Sequence, residues 1–210
     1  MMKSIHNYIS IKTKPSLIRV DDNNIKKVVH EEINRLGVNA DLNHIDISEC
    51  TQLNSIFPNT GFCGDVSKWN TENIEHMQFT FYKCAKFNGD LSNWSTGKVI
   101  SMQGMFCECA KFNQDITRWN VSNVESMFKM FYKAKKFNQP IGKWNIKSIK
   151  YMAYMFAYAE HFNQDLSKWD ISGTYHSAGY DLAITQTHMF KNCPIDETNK
   201  PKMNEFYAKH

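Results

Sequence analysis

The sequence predicts an α/β solenoid of about five to six turns, each made of a short strand and a short helix. Three observations predict it. The chain repeats itself every 25 residues, as the stretch from Lys111 to Phe131 illustrates. Each unit also carries an apolar stripe of helical spacing, preceded by a short alternating segment. Finally, all five tryptophans keep the same spacing: Trp69, Trp94, Trp119, Trp144 and Trp169.

Other positions recur at fixed distances from each tryptophan. The eighth residue after it is methionine, the twelfth is phenylalanine, and a Phe-Asn pair follows. Equivalent residues of stacked strands lie about 4.8 Å apart, so we expect Trp, Phe and Asn ladders along the core side. The repeated residues are Met77, Met102, Met127 and Met152; Phe81, Phe106, Phe131 and Phe156; and Phe87-Asn88, Phe112-Asn113, Phe137-Asn138 and Phe162-Asn163.

Two periodicities divide each unit into two elements. Apolar residues spaced by three, four and three predict a short helix. Ser122 and Glu125 match a capping box at its start. Trp119 and Val121 alternate with a polar residue, which predicts a strand of a few residues. The helical stripe consists of Val124, Met127, Phe131 and Ala134.

The N-terminal region, residues 1–41, is predicted to be a lead-in followed by a capping helix over residues 22–36. Aspartates precede this helix, and Gly37 follows its last apolar residue, as is typical of helix ends. A solenoid must cover its first apolar layer, and this helix is the natural cover.

The solenoid itself is predicted over residues 42–193, with a degenerate first unit. The spacing breaks near the end, because the expected phenylalanine arrives nine residues late, as Phe190. We therefore predict an insertion at about residues 173–183, extruded as a loop while the next layer resumes the stacking. Residues 194–210 form a C-terminal tail or cap, and the whole chain is one structural domain.

Composition narrows the function classes. The net charge of +4 does not by itself indicate a nucleic-acid partner. The sequence has no signal-peptide pattern and no apolar run long enough to span a membrane, which predicts a cytoplasmic location. Cys84 and Cys109 occupy a position that is alanine in other units, so we expect free thiols. No catalytic or phosphate-binding motif occurs, and we predict no enzymatic activity, cofactor or metal site.

The unit FNQDITRWNVSNVESMFKMF resembles the repeat of BspA-like leucine-rich-repeat surface proteins and of related mycoplasma-type lipoproteins. The resemblance covers roughly residues 40 to 193. It implies a leucine-rich-repeat-like solenoid that serves as a binding or adhesion module and not as an enzyme. Members are commonly exported and anchored, so the resemblance implies a cell-surface location.

Two rows of charged residues are predicted on the surface. We call the residues before each tryptophan the pre-tryptophan row and those before each phenylalanine the basic ladder. Either is a contact surface for an acidic protein or a nucleic-acid backbone, or simply a solvated face. The rows are Lys68, Asn93, Arg118, Lys143 and Lys168, and Lys86, Lys111, Lys136 and His161.

The function that these features favour is a non-catalytic protein–protein interaction module. One alternative is a cytoplasmic inhibitor or immunity-type protein that covers the site of an enzyme. The other is a nucleic-acid backbone binder, which has only the basic rows in its favour. We expect the partner site at Tyr175, His176 and Tyr180 of the insertion, together with Lys143 and Lys168, unless the insertion only caps the last turn.

Overall fold

The computed structural model describes residues 16–172, 174 and 188–202. Regular elements are few in this part of the chain, and most of it consists of turns and extended segments. The two short strands pair in parallel, with Ile18 opposite Ile45. The elements are strand β1 (Ile18–Arg19), helix α1 (Ile25–Leu36), strand β2 (Ile45–Asp46) and two 3₁₀-helices (Ile141–Lys143 and Glu197–Asn199).

Successive repeats are joined by backbone hydrogen bonds in a constant register. Met127 N–H donates to the Tyr151 carbonyl at 2.7 Å, and Phe131 N–H donates to the Met155 carbonyl at 2.9 Å, each 24 residues further on. Lys129 N–H likewise donates to the Ala153 carbonyl at 3.0 Å, whereas Met130 N–H bonds within its own repeat, to the Met127 carbonyl at 3.1 Å. Both sets of amide groups are thereby satisfied although almost no regular secondary structure is present. Single parallel bridges at His76, Ser101, Ser126 and Tyr151 mark the same register.

The structure differs from the prediction of a strand and a short helix in each repeat. Residues 122–134 form a series of turns, and residues 119–121 pair with no strand in the described part of the chain. Lys129 and Lys133 have φ values of 56° and 55°. These left-handed residues turn alternate N–H groups out toward the next repeat instead of back along a helix. The capping box does not form either, because Glu125 N–H donates to the Ile100 carbonyl at 2.8 Å.

The core is built from two columns of phenylalanine rings. Phe106 stacks on Phe131 of the next repeat with centroids 5.7 Å apart, and on Phe112 of its own repeat at 3.8 Å. The other repeats show the same two contacts. All of these rings are fully buried except that of the last member, Phe190, which is partly buried, so they carry a large part of the hydrophobic stabilisation. The columns are Phe57, Phe81, Phe106, Phe131, Phe156 and Phe190, and Phe62, Phe87, Phe112, Phe137 and Phe162.

The five tryptophans are buried along the same core. The indole nitrogen of Trp119 donates to the Leu91 carbonyl at 3.0 Å, which ties the side chain to the preceding repeat. Trp69 and Trp94 make the equivalent bond, whereas Trp144 and Trp169 have a buried indole nitrogen without an acceptor in the described residues. All five indole side chains therefore lie in the buried core.

The asparagine ladder is present but lies at the surface, which corrects the expectation that it runs along the core side. Asn88 Oδ1 accepts a hydrogen bond from Asn113 N–H at 2.8 Å, and Asn113 Oδ1 accepts one from Asn138 N–H at 2.9 Å. Asn163 continues the series, and Asn88, Asn113 and Asn163 are exposed. Each side chain thus accepts a hydrogen bond from a backbone N–H of the next repeat, which would otherwise bond only to water.

Helix α1 covers the first repeat, three residues shorter at its start than predicted. Its residues Ile25, Val29 and Ile33 are buried in the common core. His30 Nε2 lies 2.8 Å from the Ile56 carbonyl. In the following repeats the equivalent carbonyl accepts a backbone N–H from the preceding repeat, as Thr80 does from Phe57. His30, protonated on Nε2, therefore supplies the donor that a preceding repeat would supply.

The stacking continues beyond the break in the repeat. Phe156 N–H donates to the Met189 carbonyl at 2.9 Å, a separation of 33 residues in place of 24. Phe190 stacks on Phe156 at 5.7 Å. The late phenylalanine thus resumes the column, as its position predicts. The described part of the tail extends the asparagine ladder, since Asp196 N–H donates to Asn163 Oδ1 at 2.9 Å.

Replacing a central tryptophan should destabilise the protein far more than replacing a residue of the basic ladder. Trp119→Ala removes a buried indole and its bond to Leu91, so we expect a loss of about 3–5 kcal/mol in the free energy of unfolding. Lys136→Ala should cost less than about 0.5 kcal/mol, because Lys136 is exposed. Urea denaturation measures both. Similar losses for the two variants would contradict this assignment of core and surface.

The role of His30 predicts a local loss of stability. His30→Ala leaves the Ile56 carbonyl without its donor, and we expect a loss of about 1–3 kcal/mol. Lys26→Ala, an exposed substitution on the same helix, serves as the control and should change the free energy of unfolding by less than about 0.5 kcal/mol. Thermal and urea denaturation of the full chain test this. Equal stability of the two variants would show that the cap does not depend on His30.

Candidate protein-interaction surface

The outward side of the turn segments carries aromatic and lysine side chains. In each repeat the inward residues are constant in character, and Met127, Met130, Phe131 and Ala134 are fully buried. The residues between them point outward and differ from repeat to repeat. Six of these are half-buried and lie together in two adjacent repeats. We call them the aromatic–lysine face: Phe128, Lys129, Tyr132, Lys133, Tyr154 and Tyr158.

The rings of this face meet edge to face. Phe128 and Tyr154 have centroids 6.2 Å apart and an interplanar angle of 85°. Tyr132 and Tyr158 have centroids 5.5 Å apart and an angle of 74°. Such pairs are a favourable aromatic geometry. Each pair joins one repeat to the next, so the surface is held in place by the same stacking as the core.

Two ammonium groups lie over these rings. Lys129 Nζ is 5.1 Å from the Phe128 centroid, 5.6 Å from Tyr132 and 5.4 Å from Tyr154. Lys133 Nζ is 5.2 Å from the Tyr132 centroid and 3.9 Å from a carboxylate oxygen of Glu108. Distances of this size allow cation–π attraction. The charge of Lys129 is therefore held against an aromatic surface, and it pairs with no carboxylate of the described residues.

A smaller version of the arrangement occurs two repeats earlier. The rings of Phe79 and Tyr82 are 5.8 Å apart and nearly perpendicular, and Lys83 Nζ is 5.1 Å from the Tyr82 centroid. The interaction of the Lys83 ammonium with the Tyr82 side chain raises the pKa of Lys83. The Phe79 ring covers Gly104 so closely that a Cβ there would lie 2.4 Å from the ring. Phe79 is thus fitted to the backbone of the following repeat.

Four residues of the face occupy backbone positions that do not favour them. Lys129, Lys133, Tyr154 and Tyr158 have φ between 55° and 61°. This left-handed conformation costs a residue with a Cβ about 1–2 kcal/mol, whereas glycine adopts it freely. Gly104 takes the position in one repeat, with φ of 59°. Large side chains retained at such positions suggest a function for the side chains themselves.

The predicted rows are also at the surface. All five members of the pre-tryptophan row, including Lys143 and Lys168, are exposed, as are Lys86, Lys111, Lys136 and His161 of the basic ladder. Lys136 Nζ lies 3.1 Å from His161 Nε2, so these two members are direct neighbours. No carboxylate forms an ion pair with either row within the part of the chain that the structure describes. Tyr175, His176 and Tyr180 lie outside the described residues.

The aromatic–lysine face escaped the sequence analysis, although a signal for it exists. Aromatic residues that recur at every repeat belong to the core. A search for recurring positions finds these residues and overlooks aromatic residues at variable positions. Tyr132 and Tyr158 fall between those constant positions. Because the interior of each repeat is already filled by its constant residues, an additional aromatic residue must lie outside it.

Chemically reactive groups are scarce on the described surface. Among residues 16–172, 174 and 188–202, no three His, Cys, Asp or Glu side chains are grouped as metal ligands. The six cysteines form no disulfide. Burial raises the pKa of the Cys84 thiol to about 11 and that of Cys109 well above its usual value. Both are donors to core carbonyls, Cys84 to Phe57 at 3.1 Å and Cys109 to Phe81 at 2.9 Å.

These features define a repeat protein in which the residues that recur in every repeat pack in the core. Residues 23–128 and 90–193 each match the model of a family described as "Mycoplasma protein of unknown function, DUF285". The two matches together cover more than half of the chain, which therefore belongs to this family. The resemblance to mycoplasma-type repeat proteins is thereby confirmed. No curated protein and no solved structure matches the chain.

The structure also bears on membrane association. In the described ranges, no helix combines the length and the apolar character that a bilayer crossing needs. Helix α1, with 12 residues, is too short and carries charged residues on its exposed side.

The thiols should differ sharply in reactivity. At about pH 8, iodoacetamide should label the half-exposed Cys63 first, and Cys84 and Cys109 on the order of a hundredfold more slowly, because their raised pKa and burial leave little accessible thiolate. Mass spectrometry of timed samples gives the order. Cys63→Ser should remove the fast phase, and denatured protein should show six thiols. Rapid labelling of Cys84 in the native protein would contradict its assignment to the core.

Proposed function

We propose that this chain is a non-catalytic protein–protein interaction module built on a repeat solenoid. The observation that carries the proposal is the separation of roles within each repeat. Inward positions hold the phenylalanine columns and the tryptophans. Outward positions vary and hold half-exposed tyrosine, phenylalanine and lysine. Solenoids bind partners in this way, through variable residues displayed on a constant frame.

The composition of the exposed positions supports a protein partner. Tyrosine offers a large contact area with little loss of conformational entropy and is enriched at interface hot spots. Here Tyr132, Tyr154 and Tyr158 are already held in place by ring contacts, so little further ordering is needed on binding. A rigid surface of this kind suits recognition better than chemistry.

The finer family relationship belongs to the same proposal. The FNQDITRWNVSNVESMFKMF unit favours kinship with BspA-like leucine-rich-repeat surface proteins, whose repeats act in binding or adhesion. The insertion residues Tyr175, His176 and Tyr180, with the exposed Lys143 and Lys168, remain a second proposed contact region.

Capture of a partner tests the function. Immobilised full chain should retain a specific protein from a native lysate, and that protein, once purified, should bind the chain in calorimetry with about 1:1 stoichiometry. Binding should survive nuclease treatment. An unrelated protein of similar size and net charge serves as the control. Retention of nucleic acid alone, lost in a Lys86/Lys111/Lys136→Glu variant, would contradict the proposal and favour a nucleic-acid backbone binder.

A further inference from the structure

We infer that the aromatic–lysine face binds an acidic segment of a partner protein. This inference rests on the proposed function and names the chemistry of the partner. It assigns the binding to Phe128, Lys129, Tyr132, Lys133, Tyr154 and Tyr158, which lie in two adjacent repeats and touch one another.

The charge of the outward positions identifies the partner as acidic. Across the described repeats these positions hold four lysines and a single carboxylate, Glu108. Glu108 lies 3.9 Å from Lys133 and so offsets one of the four charges. Lys129 forms no ion pair with a carboxylate in the described part of the chain. The lysines are Lys83, Lys129, Lys133 and Lys191.

The position of Lys129 makes it the centre of the face. Its ammonium group lies within 5.6 Å of the centroids of Phe128, Tyr132 and Tyr154. The rings fix the group in space, and no carboxylate of the described residues accepts a hydrogen bond from it. A carboxylate of a partner would complete this coordination, and apolar side chains beside it would cover the exposed parts of the rings.

The ring geometry disfavours a single-stranded nucleic acid at this face. A stacking platform needs aromatic faces that are open and available to successive bases. Here the pairs are nearly perpendicular, at 85° and 74°, so the edge of one ring covers the face of another. Lys129 occupies further space over the rings. An extended acidic peptide needs no parallel stack, because its carboxylates meet the ammonium groups and its side chains meet the ring edges.

The backbone supports a role in binding. Lys129, Lys133, Tyr154 and Tyr158 all lie in the left-handed region. At the position of Lys129 and Tyr154, Gly104 shows that the stack accepts a residue without a side chain. Packing of the core therefore does not require the side chains of Lys129 and Tyr154. Their presence in two consecutive repeats places them next to one another, and this produces one continuous surface instead of isolated groups.

The experiment uses the full chain and a fluorescein-labelled peptide in which Glu and Asp alternate with Leu and Ala. Fluorescence anisotropy should show saturable binding that weakens as the salt concentration rises, since part of the attraction is between exposed charges. Lys129→Glu should raise the Kd at least about tenfold, because it reverses the central charge. Tyr132→Ala/Tyr158→Ala should raise it by a similar factor through loss of the ring surface.

Lys147→Glu is the matched control. It makes the same charge change at an exposed lysine outside both surface rows and both proposed contact regions, and should alter the Kd less than about twofold. The melting temperature of each variant shows whether it is folded. If the tyrosine double variant does not fold, Lys129→Gln, which keeps the rings, replaces it and should weaken binding severalfold.

The outcomes separate this inference from the proposed function. Loss of peptide binding and of partner binding in Lys129→Glu, with both retained in Lys147→Glu, supports the inference. Equal loss in both variants would show general charge attraction and overturn it. Binding of oligo(dT) or oligo(rU) that is abolished by Lys129→Glu, without peptide binding, would assign the face to nucleic acid. If a captured partner protein binds Lys129→Glu as tightly as wild type, the inference fails while the proposed function stands.

Discussion

Alternate amide groups of each repeat donate to the carbonyl groups of the next repeat, and the other features of the structure depend on this arrangement. It requires equivalent residues to lie one above another, so a side chain such as Phe106 meets its copy, Phe131, in the neighbouring repeat. It also requires left-handed residues at regular places, because only they turn the intervening peptide groups in the needed direction. Burial of the rings and satisfaction of the amides are thus achieved by the same stacking.

The sequence predicts the stacking well and the local conformation less well. The 25-residue spacing locates the buried phenylalanines and tryptophans and the resumption of the column at Phe190. It does so because the same packing in each repeat requires the same residue at the same position. The spacing of Val124, Met127, Phe131 and Ala134 also fits turns of about three residues, whose hydrogen bonds run from Ala134 to Phe131 and from Val124 to Val121. Apolar periodicity alone does not distinguish such turns from a helix. The inter-repeat bonds that decide between them are not visible in one repeat.

The candidate surface could be predicted only in part. The basic ladder follows from the sequence, since exposed lysines keep the same place in each repeat. The aromatic–lysine face does not follow from the sequence, because its members lie at positions that differ from repeat to repeat. Its geometry arises from contacts between repeats, as between Tyr132 and Tyr158, which no single unit contains. Asn113 and its equivalents show the opposite case, where a fixed position suggests the core and the side chain instead serves the exposed backbone.

The direction of the bonds between repeats gives every repeat a donor edge and an acceptor edge. At the acceptor edge of the first repeat, the His30 side chain donates a hydrogen bond to the Ile56 carbonyl. Any repeat copied in tandem would present matching edges to both of its neighbours, so a gene encoding this fold can gain or lose whole units by recombination without creating an unpaired edge. Each new copy would inherit the buried residues and would be free to diverge outward. The architecture therefore allows one lineage to evolve binding surfaces of different length and specificity from a single ancestral unit.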